Sequence, residues 1–151
     1  NTAYASQAWS FFALPVDQKK RNLYKAAKLA LDNALKQVRS GSPLGNIGYS
    51  IQATIEEKGY NVVREYCGYG MGNERIQEPQ ILGYGQREAG PAMRAGQIFN
   101  IHVLVTEGKR AITINTDSWG VKSKDGRTSI ALSAMVLVEP KGYVLLSDIK
   151  I

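Results

Sequence analysis

The period of the hydrophobic pattern changes part-way along these 151 residues, and that change constrains the fold more than any other feature. After Asp17, the apolar residues Leu23, Ala27, Ala30, Ala34 and Val38 recur every three or four positions, which predicts a helix to about Val38 with one buried face. Asp17 is placed to cap it. Ser40-Gly41-Ser42-Pro43 interrupts the pattern as a loop. A second helix is predicted from about Leu44 to Lys58, with Ile47, Ile51 and Ile55 on one face and Gly59 as its stop. From Gln97 onward the chain reads as strands, over 99–106, 110–116, 128–138 and 143–146. The turns between them carry Glu107-Gly108, Asp125-Gly126 and Lys141-Gly142, as hairpins prefer. Two further strands are predicted, from Tyr4 to Leu14, closed by Pro15, and from Asn61 to Tyr66. Helices followed by an antiparallel meander define an α+β class, two helices packed on an antiparallel sheet.

Length and the 44% hydrophobic content suit one domain with a core that needs no covalent staples. Cys67 is the only cysteine and His102 the only histidine, so one chain forms neither a disulfide nor a Cys/His zinc site. That favours a reducing intracellular compartment. Cys67 itself reads as a redox thiol or, more simply, as a buried inert side chain. No apolar run approaches transmembrane length, so no membrane insertion is expected. Asn1 is not a start residue, and the chain is expected to be a processed product, an excised domain or a part of a longer one. The formal charge is +6, with 19 Lys and Arg against 13 Asp and Glu. It fits an acidic partner, RNA or the ribosome among them, or solubility alone. Arg21, Lys25, Lys28, Lys36 and Arg39 form a basic stripe along the first helix, interrupted by Asp32. The stripe either tracks phosphates or is the solvated side of an amphipathic helix. The glycine-rich run Cys67-Gly68-Tyr69-Gly70-Met71-Gly72 has no Lys-Ser/Thr after it, so its glycines serve shape rather than a phosphate.

The segment from Tyr60 to Gly68 is followed by Gly70, Gly72 and Glu78-Pro79-Gln80-Ile81, then by Arg94-Ala95-Gly96-Gln97-Ile98-Phe99-Asn100-Ile101. Asp117-Ser118-Trp119 and Lys122-Ser123-Lys124-Asp125 come next. In this order and spacing the motifs resemble the bacterial type of methionine aminopeptidase. The likeness runs over nearly the whole chain but covers roughly the second half of such an enzyme. The resemblance implies a partial pita-bread fold, a single methionine-aminopeptidase-like domain over 1–151 that supplies one half plus the last strand of the other.

The family implies two metal ions held by two aspartates, a histidine and two glutamates, which activate a water. Its motifs place Tyr69 at the histidine ligand, His102 at one glutamate and Ser133 at the other. The second aspartate aligns near Gln7, the first falls before Asn1, and a substrate-contacting histidine corresponds to Ile76. Trp119 matches a residue near the substrate mouth, and it and Cys67 are expected at the pocket rim. Every ligand that can be mapped is replaced, so no metal and no cofactor are expected. Two functions are weighed. One is a pseudoenzyme, a binding or structural subunit whose exposed half-fold seam is covered by a protein partner. The other is a repurposed non-metal enzyme or toxin-like effector using Gln7, Tyr69, His102 and Ser133, with His102 as base, Ser133 as nucleophile and Tyr69 as acid or orienting group.

Overall fold

A computed structural model describes residues 3–116 and 119–147. Two helices, α1 (Gln18–Leu35) and α2 (Gly45–Glu57), precede eight strands. These are β1 (Asn61–Val62), β2 (Gly68–Met71), β3 (Gln77–Ile81), β4 (Ile98–Thr106), β5 (Ile112–Ile114), β6 (Val121–Ser123), β7 (Ser129–Glu139) and β8 (Gly142–Leu145). Six of them form one antiparallel sheet in the order β3-β2-β4-β7-β8, with β1 also paired to β4. β5 and β6 pair only with each other and form an arm. Among the described residues, no helix is long and apolar enough to cross a membrane.

Asp17 caps α1 as the sequence predicts, its carboxylate accepting a 2.8 Å bond from Lys20 N. That bond favours the charged form and holds the Asp17 pKa below its ordinary value. One face of α1 (Leu23, Ala27, Ala30, Ala34) and one face of α2 (Ile47, Ile51, Ile55) are fully buried against the sheet. From the sheet, Phe99, Ile101, Val103 and Val105 of β4 meet them, beside Leu132, Val136 and Val138 of β7. Because side chains alternate along a strand, Asn100, His102 and Leu104 of β4 project from the opposite face. So do Ala131 and Ser133 of β7. All nine residues of β4 pair with β7, which sets His102 opposite Ser133 and Asn100 opposite Met135. Tyr69 of β2 completes the row opposite Asn100.

The strand pattern departs from expectation, and β2, β3 and β6 are strands that the sequence pattern does not predict. Residues 4–14 run beside β7 without becoming a strand: Ser133 N donates to Ala8 O, but Ala8 N donates to the Ser133 hydroxyl instead of to a carbonyl. Of the strand predicted at 61–66, only Asn61–Val62 is assigned, with Val63 N adding one bond to Leu104 O. The expected meander is not sequential, since β4 skips over the β5–β6 arm to reach β7. Strand β3 was hidden by Pro79 and by a run with no apolar alternation.

The loop over 82–89 lies directly on α2. Gly45 N donates to Ala89 O, and the Asn46 amide exchanges 2.9 and 2.8 Å bonds with Glu88, which holds φ +57. A Cβ on Gly48 would stand 2.3 Å from Tyr84 O and 2.7 Å from Leu82 O, both backbone atoms. Gly48→Ala is therefore expected to destabilise the protein by about 1–3 kcal/mol, the usual range for overpacking, read from the midpoint of urea unfolding. Unchanged stability would mean that the loop does not seat on α2.

Candidate functional site

The polar row on the sheet face opposite the helices begins with glycine. A Cβ on Gly68 would lie 2.4 Å from Asn100 O, and one on Gly70 would lie 2.5 Å from Glu78 O. These two positions are glycine because β2 approaches its neighbours too closely for a side chain, and the approach fixes Tyr69 between them. The Tyr69 hydroxyl lies 3.4 Å from Asn100 Nδ2, which donates to it, and 3.5 Å from Ser6 Oγ. Asn100 is completely buried; its Nδ2 also donates to Ser6 O at 3.2 Å, and its Oδ1 has no partner. The His102 ring sits 5.2 Å from the Tyr69 ring, and its buried Nε2 has no partner either. Burial disfavours the imidazolium and pushes the His102 pKa down from its ordinary value. Ser133 Oγ accepts the Ala8 N–H at 2.7 Å, and Ser10 Oγ donates to Ala131 O at 3.0 Å.

Tyr69, His102 and Ser133 thus come together, and Gln7 does not join them. Gln7 lines a separate groove with Trp9, Phe12, Tyr24 and Leu31 against α1. Ser6, one residue earlier, faces Tyr69 instead. The extended segment alternates sides, so an offset of one residue exchanges the two faces. Ile76 is half-exposed between β2 and β3 and lines none of the cavities around the row. Trp119 is fully exposed and lines neither the cavity beside Tyr69 nor the groove against α1, whereas Asp117 and Ser118 lie outside the described residues. Cys67 does line the cavity beside Tyr69, and partial burial raises its thiol pKa. In the basic stripe Lys25, Lys28, Lys36 and Arg39 are exposed, Lys36 bonds Asn33, and Arg21 lies over the Phe12 ring at 5.6 Å. Sequence reasoning missed Asn100 and Ser6. The available signal for Asn100 was an amide set between Phe99 and Ile101 in an apolar strand, in phase with His102. Beside this row opens a cavity of about 640 Å³, floored by Leu104 and Ala131 and closed on one side by the β5–β6 arm.

The chain belongs to metallopeptidase family M24, whose profile matches residues 1–140. Within that family it is similar to methionine aminopeptidases. The Escherichia coli K12 enzyme is 39% identical over 114 residues, covering 76% of this chain and 43% of the enzyme. Methionine aminopeptidase 1 of Bacillus subtilis is 27% identical over 149 residues, covering 99% of this chain and 60% of the relative. The crystal structure of methionine aminopeptidase from Rickettsia prowazekii superposes with a TM-score of 0.84 at 30% identity, over 86% of this chain and 53% of that one. The two helices on an antiparallel sheet are accordingly part of a pita-bread fold. The chain spans about half the length of the curated relatives it matches.

The donors on the polar row are a phenol, an imidazole, an amide and hydroxyls, with no carboxylate. Among the described residues, no three His, Cys, Asp or Glu side chains are grouped to hold an ion. Divalent ions in oxygen sites require anionic ligands, and nitrogen sites require several imidazoles. This row does not fit the dinuclear centre that the resemblance implies.

His102 supplies a pH test. Its folded pKa lies below the unfolded value of 6.5, so the unfolded chain takes up the proton first as pH falls. The stability linked to neutral His102 is present above 6.5 and declines as pH drops from there through the folded pKa. Urea unfolding from about pH 7.5 to pH 5.5, the range in which histidine titrates, is expected to show a steeper loss for the natural protein than for His102→Gln. Equal slopes would mean that His102 is solvated. Tyr69→Phe, which removes a hydroxyl shared by Asn100 and Ser6, is expected to cost about 1 kcal/mol in the same measurement.

Proposed function

We propose that this methionine-aminopeptidase-like chain does not carry out metal-dependent hydrolysis and acts as a binding or structural subunit of a larger complex. One observation carries the proposal. Where the family's ligands would point at metal ions, the mapped side chains here include no carboxylate, and Tyr69 and Ser133 are engaged by other protein groups. Asn100 bonds Tyr69 and Ser6, and Ser133 bonds the backbone of Ala8. A metal-activated water has no anionic cradle there.

The repurposed-enzyme alternative has less support. Ser133 Oγ accepts from Ala8 N, and His102 Nε2 has no hydrogen-bond partner, so base and nucleophile are not paired. A protein partner is supported by the apolar surface at one margin. Phe11 and Leu14 are 70% and 77% exposed, and Tyr143, Val144, Leu145 and Leu146 are exposed along the outermost strand. An uncovered apolar strand edge invites pairing with another chain.

Native mass spectrometry of the protein isolated at low salt tests this reading. The expected result is a stoichiometric protein partner and no pair of divalent ions, with the complex unchanged by His102→Ala or Ser133→Ala. A monomer carrying two divalent ions and releasing methionine from a peptide would overturn it, as would RNA as the sole bound partner.

A further inference from the structure

The cavity beside Tyr69 and His102 has walls of Val63, Leu104, Ile112, Val121 and Ala131. Its volume of about 640 Å³ is that of a small-molecule site. Three cations, Lys109, Arg110 and Lys122, stand on its lining, and among the described residues no aspartate or glutamate does. None of the three forms an ion pair with a described residue; the two ion pairs found are Lys20 with Asp17 and Lys58 with Glu57. The nearest competing carboxylates in sequence are Asp125 and Glu107. Asp125 is engaged by the backbone N–H groups of Lys109 and Arg127, and Glu107 buries one oxygen without lining the cavity.

A pocket built to hold divalent cations or a substrate ammonium must present negative charge. This one presents the opposite sign over an apolar floor. We propose that it binds an apolar chain ending in a carboxylate, the chain lying on Leu104 and Ala131 and the carboxylate meeting the cations of the β5–β6 arm. Guanidinium and ammonium groups bind carboxylates through charge-assisted hydrogen bonds, and a basic rim raises the local concentration of an anion. The apolar walls supply the rest of the affinity and reject a small, strongly hydrated anion. The proposal rests on the preceding reading in one respect, that no metal occupies this face.

The test is isothermal titration calorimetry at low salt with decanoate, decylamine and an acetylated dileucine bearing a free carboxylate. Decanoate or the peptide is expected to bind and decylamine not to, and the two anionic probes separate a free acid from a peptide terminus as the source. The triple variant Lys109→Glu, Arg110→Glu, Lys122→Glu alters only exposed side chains and is expected to weaken binding at least tenfold. Ala131→Trp, which fills the floor, is expected to abolish it, with retained folding checked by urea unfolding. The proposal fails if neither anion binds, if decylamine binds equally well, or if the charge-reversed variant binds as the natural protein does. Metal content measured on the same sample separates the two ideas. Bound metal with carboxylate binding that persists after the metal is stripped by a chelator sinks only the non-catalytic reading, binding lost with the metal sinks both, and no metal with no binding sinks only this one.

Discussion

Everything in this molecule hangs on the ladder between β4 and β7. It pairs Ile98 with Leu137 at one end and Thr106 with Ser129 at the other without a shift. Because the side-chain period of a strand is two, this single register decides both faces at once. Phe99, Ile101, Val103 and Val105 go to the helices, and Asn100 and His102 go to the opposite side. A slip of one residue would carry the imidazole and the amide into the apolar core, where an unpaired polar group costs roughly 1–3 kcal/mol. The core and the polar row therefore enforce each other.

The helices were legible because their signal is local. Asp17 caps where a cap was expected, and the faces read from Leu23 and Ile47 onward are those that are buried. Strands β4 and β7 were legible for the same reason, being long and strongly apolar. What could not be read was pairing. Nothing in the residues 107–128 says that they leave the sheet as an arm, because Thr113, Asn115, Lys122 and Ser123 give no alternation strong enough to assign a face. The assignment of Gln7 failed on phase, since Ser6 and Gln7 differ by a side of the chain and their motif carries no residue that fixes the side. Tyr69, His102 and Ser133 are reached through the resemblance, whereas Asn100 stands at a position of the same motif to which the resemblance gives no ligand.

The polar row keeps the framework of a metal centre while changing the currency of its interactions. Carboxylates around cations repel one another until an ion is bound. Here the Tyr69 phenol bonds Asn100 and Ser6, and the Ser133 hydroxyl bonds the Ala8 backbone, without any added charge and at the modest net worth of neutral hydrogen bonds. The exceptions are the two buried atoms left over, Asn100 Oδ1 and His102 Nε2. They lie on the same strand and face, two residues apart, so this face is less fully satisfied than a plain structural core would be.

The bond from Ala8 N to the Ser133 hydroxyl attaches the chain in a different way from the ladders of the sheet. Along β4 every residue pairs with β7, and its two ends are flanked on the other side by β2 and β1. The Ala8 amide is held by one rotatable side chain and one neighbouring backbone bond. Residues 4–14 also bond the sheet through Ser6, Asn100 and Ser10, so this stretch is fastened by side chains where the strands are fastened by backbone, and its hold on β7 is set by which hydroxyls and amides the sequence keeps there.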